Sequence, residues 1–196
     1  MSKLYFRYGA MNCGKTTALL QVAHNYEEKN LKVIIVKSKV DTKGEDKIVS
    51  RLGVERKVDV ILNQDEILTL KYDLSDISCI LVDESQFLNN KQIEDLWKIT
   101  KLKNIPVICY GLKVDFTSHL FEGSKRLIEL ADVLEELITI CSCGKRAKFN
   151  ARKINNKYTL TGKEVMIDTV DDCTYEPLCG KCYIEKVLKE DKYENK

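Results

Sequence analysis

Residues 9–16, Gly9-Ala-Met-Asn-Cys-Gly14-Lys15-Thr16, fit the pattern G-x-x-x-x-G-K-[ST] without a mismatch. An apolar run precedes them and an amphipathic stretch follows, so the loop joins a strand to a helix, the context this pattern requires. Its chemistry is phosphate binding. Glycines let backbone N–H groups converge on phosphate oxygens, and the helix N-terminus adds its dipole. Lys15 would reach the β- and γ-phosphates, and the Thr16 hydroxyl a magnesium ion. A second run, Cys79-Ile-Leu-Val-Asp83-Glu84, is apolar and ends in two carboxylates. An aspartate at such a strand end holds Mg²⁺ directly or through water. Residue type alone leaves two roles for Glu84: a base toward an attacking hydroxyl, or the water-activating glutamate of an ATPase.

The thiols form the second chemical group. The chain has 8 cysteines. Cys179-Gly-Lys-Cys182 is a CxxC knuckle, and Cys141-Ser-Cys143 is a tighter pair upstream. Two short-range pairs of thiolates suit a tetrahedral structural Zn²⁺, and the neighbouring glycines let the backbone turn sharply around a metal. The same thiols could also be a redox dithiol or incidental cysteines. A closed four-sulfur shell has no open position, so a zinc held there is structural. Cys79 and Cys109 lie inside apolar runs and read as core. Cys173 is a spare candidate ligand. Cys13, within the phosphate loop, is a candidate reactive thiol.

The elements that must position these groups follow from hydrophobic patterning. Strands are predicted at residues 4–8, 31–37, 58–62, 79–82, 106–110 and 133–140, and helices at 15–30, 64–72, 90–103 and 123–131. That cadence implies parallel βαβ units with helices on both faces, with ligands at the carboxyl ends of the strands. The character changes near Thr139, where cysteines and polar residues replace the long apolar runs. We therefore expect an α/β phosphate-loop domain, RecA-like with a mainly parallel sheet, over residues 1–138. A small zinc-binding piece with a helical tail should occupy 139–196.

Composition limits the function classes. Among 196 residues, Lys+Arg 32 and Asp+Glu 30 leave a net charge of +2. The chain as a whole is no polycation, so nucleic-acid binding would need a local patch. The stretch Lys145-Arg-Ala-Lys-Phe-Asn-Ala-Arg-Lys153 is the one candidate, and it reads more readily as a solvated hairpin face. No targeting segment or membrane span is evident. A cytoplasmic, nucleic-acid-free and membrane-free protein is the expectation.

Taken in order, several motifs resemble those of the type II thymidine kinase family. They are the loop at 9–16, Asp83-Glu-Ser-Gln-Phe87, Tyr110-Gly-Leu-Lys-Val-Asp-Phe116, Leu120-Phe-Glu-Gly-Ser124, Leu130-Ala-Asp132 and the paired cysteines. The resemblance runs from about Leu4 to Tyr183. It implies phosphoryl transfer from ATP to the 5′-hydroxyl of thymidine, with Glu84 as general base. It places Gly9, Ala10, Met11, Asn12, Cys13, Gly14, Lys15, Thr16, Asp83, Glu84, Ser85 and Gln86 around ATP and Mg²⁺. Met11, Leu112, Phe116, Phe121 and Tyr175 then enclose thymidine beneath a lasso loop in the zinc domain. Cys141, Cys143, Cys179 and Cys182 hold structural zinc. The resemblance further implies a homotetramer and feedback inhibition by dTTP.

The chain departs from the family pattern in four places. Cys13 stands where the loop usually has serine. The first cysteine pair is CxC rather than CxxC. Val170-Asp171-Asp172 replaces a glycine-rich step before Tyr175. Asp41-Thr-Lys43 replaces an Asp-x-Arg near the triphosphate, which keeps the charge without the bidentate fork; Arg51 could serve the same phosphates instead. The competing reading, a zinc-containing P-loop ATPase acting on nucleic acid, assigns no role to residues 110–124.

Overall fold

The run Val33–Ser38 has apolar side chains on both faces, so it can persist only as a strand covered on both sides. All of its residues are buried. In the computed structural model, residues 1–41, 44, 46–50, 53–162 and 173–189 are described. Lys43, Arg51, the 170–172 step and the tail 190–196 lie outside them.

The chain begins with β1 (Leu4–Tyr8), α1 (Lys15–Glu27) and β2 (Val33–Ser38). A small hairpin of β3 (Lys47–Val49) and β4 (Glu55–Lys57) follows, then β5 (Val60–Leu62), α2 (Leu68–Lys71) and β6 (Cys79–Asp83). Next come α3 (Asn90–Lys98), β7 (Val107–Gly111), α4 (Glu122–Leu130) and β8 (Val133–Glu136). Six of these strands form one parallel sheet in the order β5-β2-β6-β7-β1-β8. On one face, Leu19 and Ala23 of α1 pack with Ile35, Leu81 and Ile108. On the other, Ile93 and Leu96 of α3 and Leu127 of α4 pack with Phe6, Ile34 and Val82.

Several boundaries differ from the predicted ones, each for a local reason. Helix α1 stops at Glu27 rather than 30, because Asn30 takes a left-handed φ of 56°, which asparagine tolerates better than most residues. At the start of α3, Asn89 and Gln92 form a capping box, each accepting the other's backbone N–H. The helix then passes into a π-helical turn, Ile99–Lys103, closed by left-handed Asn104. The strand predicted over 133–140 divides. Its partner β1 ends at Tyr8, so pairing in the main sheet ends at Glu136, and the Leu137 N–H donates to the Tyr8 carbonyl. The chain then leaves the sheet.

Beyond this point β9 (Thr139–Ile140) pairs with β10 (Arg146–Ala147), antiparallel. β11 (Phe149–Ile154) lies between β12 (Lys157–Thr159) and β13 (Thr174–Leu178), also antiparallel. One turn of helix, α5 (Gly180–Tyr183), continues into a π-helical turn at Ile184–Leu188. This region has its own small core of Ala147, Ala151, Leu178, Tyr183 and Val187, with Phe149 stacked on Tyr183 at 5.0 Å.

The first turn of α4 shows how tightly the strand ends are covered. A Cβ on Gly123 would lie 2.5 Å from the Leu88 carbonyl oxygen and 2.7 Å from that of Ser85. Gly123→Ala must displace α4 or the segment beneath it, at a cost of about 1–3 kcal/mol. Calorimetry should show a melting midpoint lower by about 2–4 °C per kcal/mol for a chain of this size. An unchanged midpoint would show that α4 moves freely on that segment.

Candidate active site

The phosphate loop leaves the carboxyl end of β1. Its turn needs left-handed backbone at two places, Asn12 with φ 65° and Gly14 with φ 80°. Gly9 is required for space: a Cβ there would lie 2.4 Å from the Leu137 carbonyl oxygen and 2.5 Å from the Cys13 sulfur. Gly14 caps α1 with no side-chain hydrogen bond, so first-turn amides and the helix dipole face the loop. Lys15 is buried and folds back over the loop, its Nζ donating to the Ala10 carbonyl at 3.2 Å and lying 3.7 Å from Cys13 Sγ. Thr16 is half-buried in the same turn.

Asp83 ends β6, two strands from β1, with β7 between them. It is 4% exposed, and its Oδ1 has no hydrogen-bond partner among the described residues. Burial pushes its carboxyl up to about 7; the charges of Glu84 and Asp41 push the same way, and the Glu84 backbone N–H and Lys15 pull it down. Lys37, the register partner of Asp83 on β2, is buried and pairs with Asp41 at 3.0 Å. A buried carboxylate with an orphaned oxygen, beside the half-buried Glu84 and Asp41, forms a hard-oxygen donor set, which fits Mg²⁺.

Glu84 follows with φ 45°, an unusual conformation for this residue type. Gln86 Nε2 donates to its Oε2 at 2.7 Å, and Gln86 Oε1 accepts from the Leu112 N–H at 3.0 Å. Ser85 Oγ donates to the Tyr110 carbonyl at 2.9 Å, and Ser124 Oγ to the Leu112 carbonyl at 2.6 Å. The carboxylate is thereby fixed to the end of β7. Gly111 leaves the room: a Cβ there would lie 2.7 Å from Gln86 Oε1.

Of the predicted apolar wall, Phe116 and Tyr175 are brought together through Arg152. The guanidinium lies 3.5 Å from the Phe116 ring centroid, and its Nε donates to the Tyr175 hydroxyl at 2.9 Å. The Tyr183 hydroxyl donates to the Phe116 carbonyl. Met11 is half-buried, and its N–H donates to Asn150 Oδ1 at 2.8 Å. Leu112 is half-buried. Phe121 is buried and meets Phe87 edge-on at 5.9 Å, one residue beyond Gln86.

The patterns in the sequence did not single out Asn150, Arg152 or the Lys37–Asp41 pair. Period-2 alternation along β11 puts Asn150 and Arg152 on one face, a signal available once 149–154 is read as a strand. The basic stretch 145–153 is therefore not a uniformly solvated face. Lys145, Arg146 and Lys148 are exposed, whereas Ala147, Asn150, Ala151 and Arg152 are buried.

Cys141, Cys143, Cys179 and Cys182 come together, with all four sulfurs within 4.8 Å of one another. Cys143 and Cys179 are 3.6 Å apart, near the edge of about 3.8 Å that tetrahedral zinc with ~2.3 Å bonds would set. Burial opposes ionisation of Cys141, but the Cys143 and Cys179 backbone N–H groups bring its thiol down to about 6. Cys182, crowded first by the Cys143 thiol, is pushed up to about 12. A bound cation is what allows all four to be thiolates together. The group could hold zinc. Cys173 is buried but lies outside this cluster.

A family model described as thymidine kinase matches residues 2–183. A Streptococcus pyogenes serotype M28 protein named thymidine kinase is 43% identical over 186 residues, covering 93% of this chain and 97% of that one. One from Listeria monocytogenes is 43% identical over 193 residues, covering 96% of this chain and 100% of the other. One from Chromobacterium violaceum is 40% identical over 184 residues, covering 93% and 98%. With a match over nearly the whole length and the phosphate loop, carboxylates and cysteines in place, the chain belongs to the thymidine kinase family.

Proposed function

We propose that this chain is a thymidine kinase that transfers the γ-phosphoryl group of ATP to the 5′-hydroxyl of thymidine, giving dTMP and ADP. The observation that carries this reading is the convergence of three strand ends. β1 brings the phosphate loop, β6 the orphaned Asp83 oxygen and Glu84, and β7 the backbone that steadies Glu84 through Gln86. The loop amides and Lys15 would bind the triphosphate, with Met11, Asn12 and Cys13 lining it. Mg²⁺, held by Thr16 and Asp83 with Ser85 and Gln86 nearby, would neutralise charge on the β- and γ-oxygens.

In the transfer, the 5′-oxygen forms a bond to the γ-phosphorus as the bond from that phosphorus to the β,γ-bridging oxygen breaks. Glu84 accepts the hydroxyl proton, and ADP leaves. Positioning and charge neutralisation supply most of the barrier reduction. Met11, Leu112, Phe116, Phe121 and Tyr175 would enclose the nucleoside, with Arg152 stiffening Phe116 and Tyr175. Residues 1–138 act as the nucleotide domain. Residues 139–196 act as a zinc-stapled unit, with Cys141, Cys143, Cys179 and Cys182 as ligands. A cytoplasmic homotetramer inhibited by dTTP completes the proposal. Among the described residues no helix is long and apolar enough to cross a membrane.

The direct test is ADP formation with ATP and Mg²⁺, with and without thymidine, beside single-stranded and duplex DNA. Thymidine-dependent ADP with a stoichiometric monophosphate is expected. Stimulation by DNA alone would overturn the kinase reading. Glu84→Gln should retain ADP binding and lose about 10²–10⁴-fold in turnover, the range for one proton-transfer group. Near-wild-type turnover would remove Glu84 as base.

The raised Asp83 carboxyl sets a pH dependence. Its folded value, about 7, exceeds the unfolded value of about 4, so the folded state binds the proton more tightly. Without a cation, its stability contribution is fullest at acid pH and is lost as pH rises through about 7. Added Mg²⁺ should raise the melting midpoint more at pH 8 than at pH 6, and Asp83→Asn should abolish that difference. Equal shifts at both pH values in the unsubstituted protein would exclude Asp83 from the cation site. Metal analysis should find one zinc per chain, and chelation should melt β11–β13, because metal binding and folding are coupled in such units. A zinc-free preparation with intact near-ultraviolet circular dichroism would overturn the structural role.

A further inference from the structure

Asn150 is a buried amide on β11, far from the loop in sequence, yet both ends of its side chain are spent on the nucleotide side of the molecule. Oδ1 accepts the Met11 N–H at 2.8 Å, and Nδ2 donates to the Val114 carbonyl at 3.3 Å. It is 3% exposed, so neither bond has water as a ready substitute. Met11 immediately precedes left-handed Asn12, the point at which the loop departs from ordinary backbone. A second bond from the same part of the chain lands on the next residue, where Thr139 Oγ1 donates to the Asn12 carbonyl at 3.3 Å.

The other side of Asn150 leads to the cysteine cluster. In the β11–β13 ladder Asn150 faces Pro177, and the adjoining rung pairs Phe149 with Leu178. Cys179 follows directly. One rung therefore separates the thiol cluster from the residue that grips the phosphate loop.

We propose that Asn150 is a positioning residue: it sets the Met11–Asn12 backbone of the phosphate loop from the cysteine-bearing C-terminal strands. It does so without touching the reacting atoms. This rests on residues 9–16 being the phosphate site, and it adds that their shape is imposed by a residue beyond position 139.

The test uses the full-length, zinc-loaded chain. Amide hydrogen exchange at Met11 is followed by NMR, and ADP binding by calorimetry, in the unsubstituted protein, Asn150→Ala and Asn150→Asp. In N150A, Met11 exchange should accelerate at least tenfold and ADP affinity should fall about tenfold, the effect of one buried hydrogen bond lost. N150D keeps an acceptor for Met11 and loses the donor to Val114, so Met11 protection should remain near that of the unsubstituted protein. Unchanged Met11 exchange in N150A would overturn the proposal. Should N150A fail to fold, Asn150→Ser, whose hydroxyl is too short to reach the Met11 N–H, gives the same test, and unchanged Met11 exchange there would overturn the proposal equally. Failure of the phosphate-site reading shows separately, as an unsubstituted chain that does not bind ADP; the exchange result decides the role of Asn150 in either case.

Discussion

A parallel sheet covered by helices on both faces leaves few places for charge, and the carboxyl ends of its strands are the chief one. β2 and β6 are buried along their whole length, so the ionisable groups they carry gather at the last residues. Lys37 and Asp83 stand in register there, with Asp41 paired to Lys37. An isolated buried ion would be costly, and groups in such places are tolerated when they are paired or hold a ligand. Among the described residues, Asp83 keeps an oxygen without a donor. Two neighbouring segments act on that carboxyl: Lys15, from the loop at the end of β1, favours its charge, and Glu84, directly after β6, opposes it.

The segment carrying Glu84 shows how a strained conformation is held. Ser85 and Gln86 fasten it to the backbone of residues 110–112, and Gly123 lets α4 close over it. Gly111 and Gly123 serve as spacers, since side chains there would occupy the volume of the supporting groups. A left-handed glutamate costs free energy on its own, and packing from two other elements offsets that cost. Positioning is distributed: the carboxylate directly follows β6, but its orientation is set from β7 and α4.

The C-terminal region has only a small apolar core of its own, and its four clustered thiols suit a metal staple. Its strands present Asn150 and Arg152 on one face, toward the phosphate loop and Phe116. A region that in composition resembles an appendage thus contributes two buried polar side chains to the surroundings of Met11 and Phe116.

Much of this was present in the linear order of residues. The phosphate loop is contiguous, its glycines and lysine act through local backbone geometry, and its pattern needs no distant partner. The strand and helix cadence, the carboxylates after Val82 and the two cysteine pairs are likewise local signals, and the structure brings all four of those cysteines into one cluster. Other features depended on the fold. The placing of β7 between β1 and β6, the division of residues 133–140 between two sheets, and the burial of Arg152 and Asn150 came from tertiary structure. In a sequence, Arg152 belongs to a basic stretch; in the fold its guanidinium lies against Phe116. The physical reason is that residue spacing encodes backbone conformation and chemistry between near neighbours. Whether a polar side chain is solvated or buried is set by contacts across long stretches of chain, such as the bond joining Met11 to Asn150.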